Sequence, residues 1–205
     1  MTVTDVNVVK SAIFERPDDA NKGTLGSLLC VCGSYGMAGA AVMSAKGALR
    51  TGIGLAKCAL PRSIYPIVAQ TILESVYYPL SENADGRISK VNVPFLVSES
   101  CKSSATLVGC GLGVCDDTLK IVFSLIENST TPLVLDADAL NCVAKQPEIL
   151  LRKKAPIIIT PHPGEMSRLT GLATPLVNAE RERVALDFAQ KYGVVTAVSY
   201  THLTL

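Results

Sequence analysis

The residues best suited to chemistry in this 205-residue chain follow four short apolar runs. They are GSYGMAG (33–39), GCGLG (109–113), DADALN (136–141) and TPHPGE (160–165). The last is the most restrictive. His162, one of two histidines, stands between Pro161 and Pro163. A residue that precedes a proline is pushed toward extended backbone. Proline suits the first position of a helix, because its missing N–H would go unpaired there. The spelling therefore predicts a strand ending at Thr160, a helix starting at Pro163, and His162 held at the helix N-cap. Glu165 falls in the first turn, where the helix dipole favours a carboxylate. An imidazole fixed this way can cap its own helix or meet a ligand by hydrogen bonding or stacking. The double proline favours the ligand.

DADALN puts Asp136 and Asp138 at a strand end, with Asn141 one helical turn beyond Asp138. Asp138 could cap the following helix, or the two carboxylates could organise a metal–phosphate group. In GSYGMAG, glycines 33, 36 and 39 are three apart, which matches neither GxGxxG nor GxxxxGK[ST]. A backbone without Cβ atoms still lets a ligand approach, and a helix N-terminus favours anions. Tight helix–sheet packing explains the same glycines. GCGLG has two readings of the same kind, an exposed backbone ledge or a plain turn.

The elements that must position these residues alternate regularly. SLLCVCG, GLAKCALP, ESVYYPL, SATLVG, TPLVL, APIIIT and VVTAV read as strands. MAGAAVMSAKGALRTG, RSIYPIVAQT, DDTLKIVFSLIENS, the run after DADALN, PGEMSRLTG and LVNAERERVALDFAQKYG read as helices, the last with Val184, Phe188 and Tyr192 on one stripe. ADGR (84–87) is a turn. Continuous apolar strands alternating with helices predict a parallel sheet covered on both faces, an α/β fold. In such sheets, ligands sit beyond the carboxyl ends of the strands, so the four motifs would line one crevice.

Composition narrows the function classes. The chain is 48% hydrophobic and 18% charged, with net charge +1. It has no basic block for nucleic acid or an acidic membrane surface. It also has no apolar run for a bilayer span and no leader, which makes the cytoplasm the expected compartment. Seven cysteines without CxxC spacing read as small buried hydrophobes, with a redox or metal role as the alternative. One domain is expected over 23–196, after a polar arm at 1–22. Residues 197–205, AVSYTHLTL, read as a foreign tail resembling a translated adapter.

In this order the motifs resemble the ADP- or ATP-dependent NAD(P)H-hydrate dehydratases, relatives of the ribokinase-like kinases. The resemblance runs from about Lys22 to Val195. It rests on KGTLGSLLCVCGSYGMAGAAVMSAKGALRTGIGLAKCALP, GCGLG, VLDADALN and ITPHPGEMSRLTG, with Cys110 where the family usually has proline. It implies a ribokinase-like three-layer α/β/α fold with a mostly parallel sheet, incomplete at the C-terminus. The implied activity is repair of hydrated NADH and NADPH, using ADP or ATP with Mg²⁺. The C6 hydroxyl is phosphorylated and then eliminated. By the same resemblance, Ala40, Gly111, Gly113 and His162 match hydrate-binding positions. Asp136, Asp138 and Asn141 lie near the phosphate end, and no residue is itself a metal ligand. Lys22 matches a family lysine of unassigned role.

The resemblance further implies a functional link to NAD(P)H-hydrate epimerase and a homo-oligomer in the intact parent. The family's GTGD turn, with its catalytic aspartate, has no counterpart here. No catalytic residue is therefore expected in this chain, which as written should be inactive and poorly soluble. Two other functions fit the same elements: a ribokinase-like kinase of vitamin precursors, and a non-catalytic nucleotide-binding module.

Overall fold

The computed structural model describes residues 23–197. Among these residues, seven strands form one parallel sheet: β1 (Ser27–Val31), β2 (Leu55–Pro61), β3 (Val76–Leu80), β4 (Ala105–Val108), β5 (Leu133–Leu135), β6 (Ile157–Ile159) and β7 (Val195–Thr196). Their order is β3-β2-β1-β4-β5-β6-β7, and every adjacent pair is parallel. The chain starts near the middle, runs outward through β2 to β3, then returns to lay β4 against the other side of β1. The order reverses between β1 and β4, which makes their carboxyl ends the topological switch point.

The helices are α1 (Ala38–Arg50), α2 (Tyr65–Thr71), α3 (Val93–Cys101), α4 (Asp116–Asn128), α5 (Asp138–Val143), α6 (Pro163–Thr170), α7 (Thr174–Ala179) and α8 (Arg181–Tyr192). Their limits follow local chemistry. Helix α1 runs out at Arg50, and Gly52 beyond it takes φ 94°. Asp116 and Asp117 lie in the first turn of α4, at its positive end. Gly171 and Gly193 end α6 and α8 in the left-handed conformation.

Two details differ from the sequence reading. Residues 88–101 carry a helix, α3, that no periodic stripe announces; Pro94 opens it, and it buries Leu96 and Ser100. The segment read as one helix before Tyr192 is two, α7 and α8, because Glu180 leaves helical geometry at φ −126°, ψ 36°. Val184, Phe188 and Tyr192 do share the buried stripe of α8.

The core divides by sheet face. One face carries Leu29, Val31, Val108, Leu133, Leu135, Ile157 and Ile159 under side chains of α3 through α8, among them Leu96, Ile121, Leu125, Met166 and Phe188. The other carries Cys30, Cys32, Cys58 and Leu60 under Ala41 and Ala45 of α1 and Val68 of α2. Alanine-rich α1 lets the helix approach the sheet closely. On this second face the helical cover stops short of the β5–β7 side. Val134 is half-buried there, Ile158 is 37% exposed and Val195 60% exposed. The isoleucine run 157–159, expected to be buried on both faces, is thus buried on one. No helix among the described residues is long and apolar enough to cross a membrane.

Candidate functional site

The two glycine turns meet at the switch point. The Gly109 amide donates to the Val31 carbonyl at 3.2 Å, and the Gly33 amide to the Cys110 carbonyl at 2.8 Å. The buried Ser34 hydroxyl donates to the Gly111 carbonyl at 2.8 Å. Both readings of these glycines therefore hold in part, because they pack closely and also present backbone at the crevice. Gly109 has φ 123°, and a Cβ there would lie 1.9 Å from the Asp136 carbonyl oxygen. Gly111 has φ 66°, and its Cβ would meet the Cβ of Ala40 at 2.7 Å. Ala40 and Gly111 thus form one continuous small-residue surface. Gly36 and Gly39 meet nothing within 4 Å of an added Cβ, so the loop is open on that side.

The DADALN motif locks onto this ledge from the β5 side. Asp138 is the first residue of α5, and its carboxylate caps no helix end. It accepts the Gly113 amide at 2.8 Å and the Asn141 side-chain amide at 3.3 Å. Asp136 accepts the amide of Ala137 at 2.9 Å through one oxygen and faces the Cys110 thiol at 3.5 Å with the other. Between the two aspartates, Ala137 has φ 50° and ψ −115°. It is the one non-glycine with positive φ among the described residues. Strain of this kind persists where surrounding bonds over-determine the backbone, and it clusters at functional sites.

His162 sits at the N-cap of α6, as the prolines predict. Its Nδ1 accepts from Gly164 at 3.0 Å and from Glu165 at 3.4 Å, while the Glu165 carboxylate accepts the His162 amide at 2.9 Å. This is a capping box with histidine in the usual serine position. The local cap engages both ring nitrogens, Nδ1 through the two amides and Nε2 at 3.3 Å from the Glu165 carboxylate, while 46% of the side chain stays exposed for a ligand to stack on. Glu165 beneath it is 7% exposed. Burial raises its carboxyl pKa, and the hydrogen bond from the His162 amide acts against that rise. On the strand order, β6 is two positions from β4, so the strands that carry the histidine and the glycine ledge run about 10 Å apart.

The sequence reading passed over three contributors. The ADGR turn docks on both ledges: the Tyr35 amide donates to the Gly86 carbonyl at 2.9 Å, and the Arg87 side chain lies where a Gly113 Cβ would fall, 2.5 Å from its Nε. Arg168 donates to Asn141 Oδ1 at 2.9 Å. Arg168 also joins Lys145, Val114 and Asn141 around a cleft of about 460 Å³. Two cations beside Asn141 suit an anionic group. The one signal for Arg168 was its place a turn beyond HPGE. Lys22 and His202 lie outside the described residues, as do the whole arm and all of the tail but Ala197. Among the described residues, no group of three or more His, Cys, Asp or Glu side chains could hold a metal ion. Of the cysteines, 30, 32, 58 and 142 are buried as expected, and 101, 110 and 115 are partly exposed.

Comparison with known proteins identifies the family and the fold. The family model described as NAD(P)H-hydrate dehydratase matches residues 28–202. A bifunctional NAD(P)H-hydrate repair enzyme of Thermofilum pendens is 35% identical over 190 residues, covering 93% of this chain and 36% of that protein. An ADP-dependent (S)-NAD(P)H-hydrate dehydratase of Neisseria meningitidis is 31% identical, covering 93% of this chain and 60% of that protein. The crystal structure of an ADP/ATP-dependent NAD(P)H-hydrate dehydratase from Bacillus subtilis, co-crystallised with ATP and Mg²⁺, superposes with a TM-score of 0.76 at 26% identity. That match covers 95% of this chain and 65% of the other. The chain spans about a third of the length of the bifunctional relatives it matches. A switch-point crevice of glycine ledges, a strained aspartate turn and a proline-locked imidazole, matched over most of its length, places this chain in the NAD(P)H-hydrate dehydratase family.

Proposed function

We propose that the crevice binds hydrated NADH or NADPH as the substrate side of a site for its ADP- or ATP-dependent dehydration, the family's GTGD aspartate being no part of this sequence. The observation that carries this reading is the bond of the DADALN turn to the GCGLG ledge at the switch point, with the HPGE histidine capped at the end of the next strand over, β6, in a chain of this family. Ala40, Gly111 and Gly113 give the hydrated nicotinamide a flat approach to backbone, and His162, its ring held by Glu165, offers an exposed imidazole face to it. Asp136, Asp138 and Asn141 hold the ledge in place and face the phosphate end, where Lys145 and Arg168 supply positive charge. Hydroxide is a poor leaving group and phosphate a good one, so transfer of a phosphoryl group to the C6 hydroxyl makes the elimination feasible. Such transfer depends on positioning and charge neutralisation.

The described residues build no resident metal site. Mg²⁺ is expected to arrive on the nucleotide phosphates, with Asp136 as a carboxylate within reach, in keeping with the ion's preference for phosphates plus one or two carboxylates. When bound, it supplies charge neutralisation. An epimerase partner and assembly into a homo-oligomer are further expectations of this reading.

Calorimetric titration tests the assignment. The protein should bind hydrated NADH more tightly than hydroxymethyl-pyrimidine or hydroxyethyl-thiazole vitamin precursors. His162→Ala and Gly111→Val should each weaken hydrate binding at least about tenfold, roughly 1.4 kcal/mol. Preference for the vitamin alcohols would assign a small-molecule kinase instead. Recovery of the reduced-nicotinamide absorbance with ADP or ATP and Mg²⁺, followed in the same samples, reports turnover separately from binding.

A further inference from the structure

Four cysteines gather on one sheet face beneath the crevice, and the proposed function uses none of them. Cys30, Cys32 and Cys58 are buried there, and half-buried Cys110 packs on the same cluster. Cys30 is in register with Cys58 of β2. Cys32 belongs to the other side. The β1–β4 ladder ends at Val31–Val108, and the next link is the 2.8 Å bond from the Gly33 amide to the Cys110 carbonyl. That bond holds the backbones of Cys32 and Cys110 against each other. Both side chains belong to the same apolar cluster, where each thiol is the strongest electrostatic influence on the other. On its crevice side, the Cys110 sulfur faces Asp136 at 3.5 Å.

We propose that Cys32 and Cys110 form a redox pair, in which a hydroperoxide oxidises Cys110 and Cys32 then closes a disulfide across the crevice floor. Exposure sets the order, because an oxidant in the crevice reaches Cys110 while Cys32 is 1% exposed. Proton affinity agrees with that order. The neighbouring Cys32 thiol holds the Cys110 thiol below its usual range, and Cys110, with burial, raises Cys32. The thiolate is the nucleophile in such reactions.

In the first step the Cys110 sulfur attacks the terminal peroxide oxygen and the O–O bond breaks. The alcohol, or water from hydrogen peroxide, leaves with the thiol proton, and Cys110 becomes a sulfenic acid. The Cys32 sulfur then attacks that sulfur, the S–O bond breaks, and hydroxide departs as water with the Cys32 proton. Two thiols lose two electrons and the peroxide gains them. An S–S bond of about 2.05 Å draws Cys110 inward, away from Asp136. Gly111, the next residue, is tied to Ser34 and abuts Ala40, so the hydrate-facing ledge moves with it.

The test needs no substrate. Reduced protein is treated with one equivalent of hydrogen peroxide, alkylated, digested and mapped by mass spectrometry. A Cys32–Cys110 cross-linked peptide that dithiothreitol removes is the expected product. In untreated protein, iodoacetamide should modify Cys110 at least about tenfold faster than Cys30 or Cys58. Cys32→Ser should leave Cys110 as a sulfenic acid trapped by dimedone. A Cys30–Cys58 cross-link in place of the expected one, or oxidation of Cys110 to the sulfonic acid with Cys32 still free, would overturn the pair. Mapping the wild-type chain decides the matter even if the serine variant fails to fold.

Discussion

The two halves of the sheet are built on different terms. On the β1–β4 side, helices cover both faces and the site is made of backbone: glycine amides and carbonyls bond directly across the switch point. On the β5–β7 side, the site is made of side chains, and one sheet face is partly open at Val134, Ile158 and Val195. Backbone cannot be re-aimed by choosing another rotamer, so the first half should tolerate almost no substitution. Side-chain caps tolerate isosteric change, so the second half should bend. The contrast teaches where the family motif is strict for reasons of space and where for reasons of chemistry.

The comparison can be tested at three places, from the largest effect to the smallest. Gly109→Ala forces a Cβ to within 1.9 Å of the Asp136 carbonyl at φ 123°. Urea unfolding should show a loss of more than about 4 kcal/mol, or no folded protein at all. A stable variant would show that the ledge is softer than its bonds imply. Next come adjacent isoleucines on opposite faces of β6. Ile159→Ala empties a fully buried position and should cost about 2–5 kcal/mol. Ile158→Ala, on the open face, should cost less than about 1 kcal/mol. Equal losses would mean that the second face is covered in solution.

The smallest effect is a pH slope. Glu165 has its folded pKa raised above the ordinary 4.5 by burial. Its contribution is therefore favourable below that value and is lost as pH rises through the higher folded value. Glu165→Gln keeps a capping acceptor for the His162 amide and should flatten this part of the stability–pH curve. Thermal melts from pH 4 upward, compared between the two proteins, check it; parallel curves would place the carboxyl in water rather than in the core.

Much of the fold was legible, because parallel strands buried between helices read as apolar runs punctuated by glycine and proline. The histidine cap was legible for a local reason: Pro161 and Pro163 leave the intervening residue little choice. What stayed hidden depends on contacts distant in sequence. Tyr35 meets Gly86, and Arg87 covers Gly113, yet ADGR reads as a plain turn. Nothing in the spelling of Asp-Ala-Asp reveals that Ala137 is driven to positive φ, since that follows from the bonds its neighbours make. The IIIT run misled for a related reason. An unbroken apolar strand states that both faces can be covered, and in the described residues only one is.

The strand order has a consequence for how such a chain comes into being. After the single return past β1, each new strand is added to an existing border of the sheet, and none has to be inserted between partners already joined. Synthesis delivers the N-terminal part first, and strand pairing between distant segments is the slow event in folding. A growing chain of this topology can therefore dock each strand as it leaves the ribosome. Among the strands of the described residues, the central one that carries the first glycine turn is made before the other six, so each of those assembles onto a template already in place.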